Sequence, residues 1–437
     1  MTKFVRSRIY SVPEDREVLA MKQLKKMLAA LLCAAVTAMA GAPSVLAKQA
    51  DNIIIDTESG ETVEQIMDDA VPAWASSGAA VPADTKALDI GGKSAVLIEL
   101  SSGQVLYEKN SHEKLPIASV TKVMTLLLIM EAVDKGLITP EDAVTCSAHA
   151  ASMGGSQIWL EQGEIMTVND LLKAIAVVSA NDACAMMAEY ISGSEEGFVQ
   201  SMNERAAALG MNDTLFLDCS GLNDEAYSSA YDVALMSREL MKHKKITQYT
   251  TIWMDTLRKG KSQLVNTNKM IRFYPGATGL KTGTTGKAGH NLSATAERNG
   301  MGLAAVILGC KTTDERFGGT RKMLDYGFAN YAVYTPKVDK AALIPVRVLR
   351  GVEVRVDSVM DELQPLLIKK GQEKNITQTL TLAEDLEAPV YERQVIGILS
   401  LTIEGNVAAK YEIYAARAVP RLGLLQAFAK IFRALVA

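Results

Sequence analysis

The chain of 437 residues has only four histidines, His112, His149, His243 and His290, and they stand too far apart to supply the paired ligands of a metal centre. A metal site is therefore not expected, and no motif calls for a cofactor. Basic residues form no stripe and are not interleaved with aromatics, and the formal charge is -4, so nothing points to nucleic acid. Of the five cysteines, Cys33 falls in an apolar leader, which leaves Cys146, Cys184, Cys219 and Cys310, widely spaced. That excludes a disulfide scaffold, while paired and free buried thiols both stay open. Neither the apolar run near the N-terminus nor the one at the C-terminus reaches the ~20 residues that a spanning helix needs.

What is present begins with Lys22, Lys25 and Lys26, then fourteen mostly apolar residues from Met27 to Ala40, then Val45-Leu46-Ala47. A basic start, a short apolar stretch and a small-residue site are the parts of an export signal, cut before Lys48. Residues 1–20 read as an upstream extension, 21–47 as the signal, and 48–92, acidic and then rich in Ala, Ser, Gly and Pro, as a flexible lead-in. Length and apolar content suit two domains, or one large domain plus a smaller one.

The stretch from Ile117 to Met130 carries the first chemistry. If Pro116 marks a helix entry, Ser119 lies in the first turn and Lys122 stands three residues on, so hydroxyl and amine share a face. The run behind them is apolar all round, which a helix buried on every side requires. An ammonium at its ordinary value of ~10.4 accepts no proton at neutral pH; burial and a second cation are the means of changing that. The pattern S-x-x-K recurs at Ser111 and Lys114, but in a polar connection with no helix behind it.

Two further constellations follow. Thr167-Val-Asn-Asp170 is a capping box opening a helix to Val178, and Ser179-Ala180-Asn181 breaks it before a second helical run. That tripeptide reads as an ordinary cap or as polar groups facing a site. Ser201 and Asn203 repeat the spacing within an amphipathic run and read as helix surface. Lys281-Thr282-Gly283-Thr284 precedes an antiparallel meander whose second turn is Asn299-Gly300. Lys281 and the threonine hydroxyls suit a carboxylate, and Gly283 lets a ligand backbone approach an edge strand closely, so Gly283 counts with them as substrate-binding.

Ser119-x-x-Lys122, Ser179-x-Asn181 and Lys281-Thr282-Gly283, in that order and 60 and then 102 residues apart, resemble the three motifs of the penicillin-recognising serine acyl-transferases. With Tyr274-Pro-Gly-Ala-Thr-Gly-Leu-Lys-Thr-Gly and Leu324-Asp-Tyr-Gly-Phe, the chain is similar to the low-molecular-mass penicillin-binding proteins of the D-alanyl-D-alanine carboxypeptidase family. The resemblance covers residues 93–437. It implies an α+β fold: a β-lactamase/transpeptidase-like domain over 93–337, with an antiparallel sheet against a helical cluster, then a small all-β domain over 338–418.

It also implies roles. Ser119 is the nucleophile, Lys122 the general base, Ser179 a proton relay, and Asn181 a partner of substrate and Lys122. Lys281 and Thr282 bind the terminal carboxylate, and the N–H groups of Ser119 and Thr284 form the oxyanion hole. The implied substrate is a peptidoglycan stem peptide ending in D-Ala-D-Ala, with β-lactams as covalent inhibitors. A β-lactamase of the same fold is the alternative; class A enzymes carry a Glu-x-x-Leu-Asn segment where this chain reads Asp218-Cys-Ser-Gly-Leu-Asn223. A non-catalytic wall-binding protein is the other alternative, and the intact Ser119, Lys122 and Lys281 argue against it.

After Thr335-Pro-Lys337, apolar residues alternate (Val346, Val348; Val352, Val354, Val356), and Val395–Ile403 and Val407–Tyr414 flank Glu404-Gly-Asn406 as a hairpin. From Leu422 a helical wheel gathers Leu424, Leu425, Phe428, Ile431, Phe432, Leu435 and Val436 opposite Gln426, Lys430 and Arg433. Residues 420–437 are therefore expected to lie in a membrane interface, holding the exported protein on the outer face of the cytoplasmic membrane.

Overall fold

Residues 71–76 and 84–436 are described by a computed structural model. The export signal, the upstream extension and most of the lead-in lie outside them. Strands β1 (Ser94–Glu99), β2 (Val105–Lys109), β3 (Ala277–Thr285), β4 (Gly289–Arg298) and β5 (Met301–Cys310) form one antiparallel sheet in the order β2-β1-β5-β4-β3. Successive side chains of a strand point to opposite faces. Val96, Ile98, Ala304, Val306 and Leu308 enter one core, and Ala95, Leu97, Leu303, Ala305 and Ile307 the other. Both faces are covered, which is why β1 and β5 read as unbroken apolar runs. At the Asn299-Gly300 turn both residues have positive φ, 52° and 77°, the mirror-image turn that matches strand twist.

The first core holds helices α1 (Lys122–Asp134), α2 (Val168–Val178), α3 (Asn181–Ser192), α4 (Glu195–Ala208) and α5 (Ala230–Leu240). Val123, Met124, Leu126, Leu127, Ile129 and Met130 of α1 are buried, each contributing roughly 1.5–3 kcal/mol over an exposed side chain. Thr167 caps α2 as its sequence suggests, accepting from Asp170 N at 3.1 Å. The second core is closed by α6 (Thr313–Asn330).

The lead-in needs correction. Trp74, in the helical turn Ala73–Ser76, is buried with its ring stacked on Phe317 at 5.0 Å and edge-on to Phe273 at 6.2 Å, and Leu88 and Ile90 join the same core. Burial of one large aromatic outweighs a composition that reads as linker.

Beyond α6, β6 (Tyr331–Tyr334) pairs with β9 (Leu366–Lys369), so a ladder spans the Thr335-Pro-Lys337 junction. The β part holds β7 (Val346–Leu349), β8 (Ser358–Met360), β10 (Ile376–Leu382), β11 (Val395–Ile403) and β12 (Asn406–Ala415). The last four form a sheet in the order β8-β12-β11-β10. Val346, Val348 and Val356 are core, but Val352 and Val354 face outward, because the chain turns at Arg350, whose φ is 58°. Helix α7 (Leu424–Val436) ends the fold. Among the described residues no helix is long and apolar enough to cross a membrane.

Candidate active site

Ser119 sits in a 3-10 turn, Ala118–Thr121, rather than in the first turn of α1; the turn continues directly into the α-helix at Lys122. The contact expected from the spacing is there: Lys122 Nζ lies 2.9 Å from Ser119 Oγ. Lys122 is completely buried, and its Nζ also donates to Ser220 O at 2.7 Å. The second S-x-x-K is no such pair. Ser111 Oγ donates to Glu108, and Lys114 faces Asp213 at 3.8 Å.

The acceptor at Ser220 is built by Asp218. Its carboxylate accepts from the N–H groups of Ser220 (2.6 Å), Gly221, Leu222 (3.3 Å) and Asn223 (2.7 Å), and from Ser220 Oγ at 3.0 Å. Gly221, at φ 85°, brings this turn against the nucleophile's turn, since a Cβ there would lie 2.0 Å from Ala118 O. Asx-turn chemistry before Ser-Gly was the available signal for Asp218. Asp218→Ala is expected to slow acylation by a fluorescent penicillin by about tenfold or more, since small misplacements of reacting groups are costly. Asp218→Asn, which keeps one acceptor oxygen, should lose less; an unchanged rate in the alanine variant would mean the turn holds Lys122 without the carboxylate.

Ser179 terminates α2 in the left-handed conformation, φ 64°, and is fully buried; Ala180 then caps α3, placing Asn181 in that helix's first turn. The ordinary-cap reading does not hold for Ser179 or Asn181, because the cap position falls on Ala180, which has no side-chain cap hydrogen bond. Asn181 Nδ2 donates to Gly154 O at 2.7 Å, and Oδ1 is buried without a hydrogen-bond partner among the described residues. That orientation leaves an acceptor for a ligand. Cys184, behind Asn181 on α3, feels both Lys122 and Lys281; burial nevertheless pushes its thiol up to about 12. All four described cysteines are buried and free.

Lys281, Thr282, Gly283 and Thr284 lie on β3, which is an edge strand of the five-stranded sheet. Thr282 Oγ1 is 2.8 Å from Thr267 Oγ1, and Thr267 N donates to Val177 O at 3.1 Å, which ties this strand to α2 just before Ser179. Lys281 is buried, with Nζ 3.0 Å from Thr282 O. Gly283 is also needed within the fold: a Cβ would meet Ile117 O at 2.6 Å, Val120 N at 2.9 Å and Ser119 N at 3.0 Å. The close approach it permits there is that of the nucleophile's own turn. Arg316, buried on α6, donates to Thr284 Oγ1 at 3.2 Å. Asn291 on β4 donates to Pro116 O at 3.1 Å and accepts from Gly309 N at 2.7 Å, pinning the entry to the Ser119 turn. Nothing in the sequence singled out Thr267, Asn291 or Arg316.

The three motifs thus meet in one place, a buried lysine against a serine hydroxyl, with a second buried lysine on the facing strand. Among the described residues no group of three His, Cys, Asp or Glu side chains is placed to hold a metal ion. Ser201 and Asn203 lie apart on α4, where Asn203 holds the backbone of Phe216 at 2.9 Å through both its amide atoms.

Residues 80–312 match the family model described as D-alanyl-D-alanine carboxypeptidase, and residues 335–421 match that of the penicillin-binding protein 5 C-terminal domain. The D-alanyl-D-alanine carboxypeptidase DacF of Bacillus subtilis (strain 168) is 45% identical over 338 residues, covering 76% of this chain and 87% of that protein. DacC of Escherichia coli (strain K12) is 34% identical, covering 74% and 82%. Penicillin-binding protein 5 from Haemophilus influenzae superposes with a TM-score of 0.67 at 28% identity, over 79% of this chain and all of that one. Penicillin-binding protein D2 from Listeria monocytogenes, in its ampicillin-bound form, gives 0.51 at 32% identity, over 55% and 99%. The chain belongs to the D-alanyl-D-alanine carboxypeptidase family, a serine-type hydrolase with the α+β transpeptidase fold and the all-β C-terminal domain of the low-molecular-mass penicillin-binding proteins.

Proposed function

We propose that this protein removes the terminal D-Ala from peptidoglycan stem peptides through an acyl-enzyme on Ser119, while held on the outer face of the cytoplasmic membrane by α7. The observation that carries the reading is the 2.9 Å contact between Ser119 Oγ and the buried Lys122 Nζ. Ser119 Oγ adds to the carbonyl carbon of the penultimate D-Ala as its proton passes to Lys122. The resulting oxyanion is held by the N–H groups of Ser119 and Thr284, an arrangement in which one donor is typically worth ~10²–10³ in rate. Collapse expels the terminal D-Ala, whose amine takes a proton relayed through Ser179. Water then cleaves the Ser119 ester and restores the hydroxyl. Lys281 and Thr282 are the receptors for the departing residue's carboxylate, and Asn181 Oδ1 accepts from a substrate amide.

The β-lactamase alternative, in its class A form, uses a carboxylate to activate the deacylating water. Around the 218–225 segment the acids are engaged: Asp218 by backbone N–H groups, Asp224 by Thr285 Oγ1 at 2.6 Å, and Glu225 by Lys287 at 2.6 Å. Persistent penicillin adducts follow from this arrangement. The anchor reading draws on α7, where Leu424, Leu425, Phe428 and Phe432 are exposed.

One experiment tests both parts. The exported chain, full length and truncated after Val419, is assayed for D-Ala release from a D-Ala-D-Ala peptide and for sedimentation with phosphatidylglycerol vesicles. Both forms are expected to release D-Ala, and only the full chain to sediment. Rapid repeated penicillin hydrolysis with the peptide left intact would favour the β-lactamase; equal partition of the two forms would remove the anchor.

A further inference from the structure

Helix α7 does not leave the β part on a free tether. Gly351 and Arg421 form an antiparallel bridge, Val352 N donates to Pro420 O at 3.0 Å, and Leu422 N donates to Arg350 O at 2.7 Å. On the other side Val390 and Val419 exchange backbone hydrogen bonds of 3.0 and 2.8 Å. Only Gly423 separates Leu422 from the start of α7, and the two steps from Leu422 to Leu424 reach roughly 7 Å at ~3.3–3.6 Å per residue. Whatever depth α7 takes, the turn Arg350–Val354 and the segment after Val390 are carried close to it.

Those segments present apolar side chains outward. Val354 is 60% exposed and Tyr391 68%, and Val352 also faces solvent, as do Leu424 and Leu425 at the helix start. The acids at this end are held by arginines: Glu387 by Arg350 at 2.8 Å, Asp361 by Arg393 at 2.7 Å, and Glu353 by Arg417 at 2.9 Å. Glu392 and Arg421 add one charge of each sign to this end. Such an end is not repelled by anionic headgroups, and Tyr is a side chain suited to the boundary between water and lipid.

We infer that the Arg350–Val354 turn and Tyr391 form a second membrane contact, docking the end of the β part onto the lipid surface beside α7. This rests on the reading of α7 as an anchor. A helix lying in the interface buries its apolar face ~5–10 Å into the headgroup region, which brings a turn stitched to its base into the same layer. The consequence is orientation: the β part stands on the membrane by two contacts rather than swinging from one, which sets the direction in which Ser119 faces the wall.

The test uses the exported chain from Lys48, which excludes Cys33. Its four described cysteines are buried and free, and burial raises their thiols, Cys146 to about 11 and Cys184 and Cys310 to about 12, so a single added cysteine can be labelled with an environment-sensitive fluorophore. Labels are placed through Val354→Cys, Phe428→Cys and, at the far end of the β11–β12 ladder beside its Ile403–Asn406 turn, Val407→Cys. With phosphatidylglycerol vesicles, the labels at 354 and 428 are expected to shift to the blue and to be quenched by spin-labelled lipid, and the label at 407 to stay unchanged. In parallel, Val352→Glu/Val354→Glu should bind vesicles about tenfold more weakly with D-Ala release unaltered. A response at 428 without one at 354 overturns the second contact and leaves the anchor standing. No response at either position removes the anchor and this inference with it. A response at 354 that follows protein concentration without vesicles assigns the patch to a second copy of the chain and overturns the inference.

Discussion

Ser119→Ala is expected to eliminate D-Ala release and the covalent penicillin adduct together, with kcat/KM falling by roughly 10⁴ or more, as removal of a triad-type nucleophile does elsewhere. The unaltered protein should gain the mass of one penicillin, mapped to Ser119. Lys122→Ala should come close to the same loss, since general base catalysis contributes ~10²–10⁴ and Lys122 is the amine in contact with Ser119 Oγ. Removing this buried side chain also leaves Ser220 O without its 2.7 Å donor, so thermal stability must be measured alongside. Ser111→Ala separates the two S-x-x-K copies: its hydroxyl is occupied by Glu108, and the variant should acylate normally. An adduct that survives Ser119→Ala, or one that disappears in Ser111→Ala, would overturn the assignment.

The second large effect is expected from a single methyl group. Gly283→Ala puts a Cβ within 2.6 Å of Ile117 O and 3.0 Å of Ser119 N, both backbone atoms that cannot rotate away. Either β3 or the Ser119 turn must move, at a cost of about 1–3 kcal/mol in a well-packed region. Ser119 and β3 then lose their mutual placement, and misplacement of ~1 Å is worth about 10² in rate. Acylation should therefore slow by about a hundredfold, with a modest fall in Tm. Gly286→Ala, on the same connection but with nothing within 4 Å of the added Cβ, is the control and should acylate normally. Equal rates in both variants would show that the gap at Gly283 is not what sets the geometry.

Much of the site was legible because its parts are local. Ser119 and Lys122 are three residues apart, so any helical geometry, whether 3-10 or α, brings them together, and mistaking one for the other did not matter to the contact. The Thr167 cap and the Asn299-Gly300 turn are likewise decided by neighbours within a few residues. Where a pattern admits two periods, the reading failed. Val352 and Val354 alternate as a strand would, but Arg350 turns the chain and sends them outward.

The amino-acid order by itself determined the pairing of nucleophile and lysine, the apolar runs that become a sheet covered on both faces, the Gly-rich turns, and the amphipathic pattern of the last helix. All of these depend on interactions within one turn or one strand pair. Only the tertiary structure decided that Asp218 shapes the carbonyl that receives Lys122, that Asn291 pins Pro116 from 175 residues away, that Thr267 couples Thr282 to the end of α2, and that Gly283 is small for the sake of Ser119. Those contacts join segments remote in the chain, and their energies depend on gaps of a few tenths of an ångström between backbones. No residue type or spacing encodes such a gap; it is set when the sheet and the helical cluster close on one another.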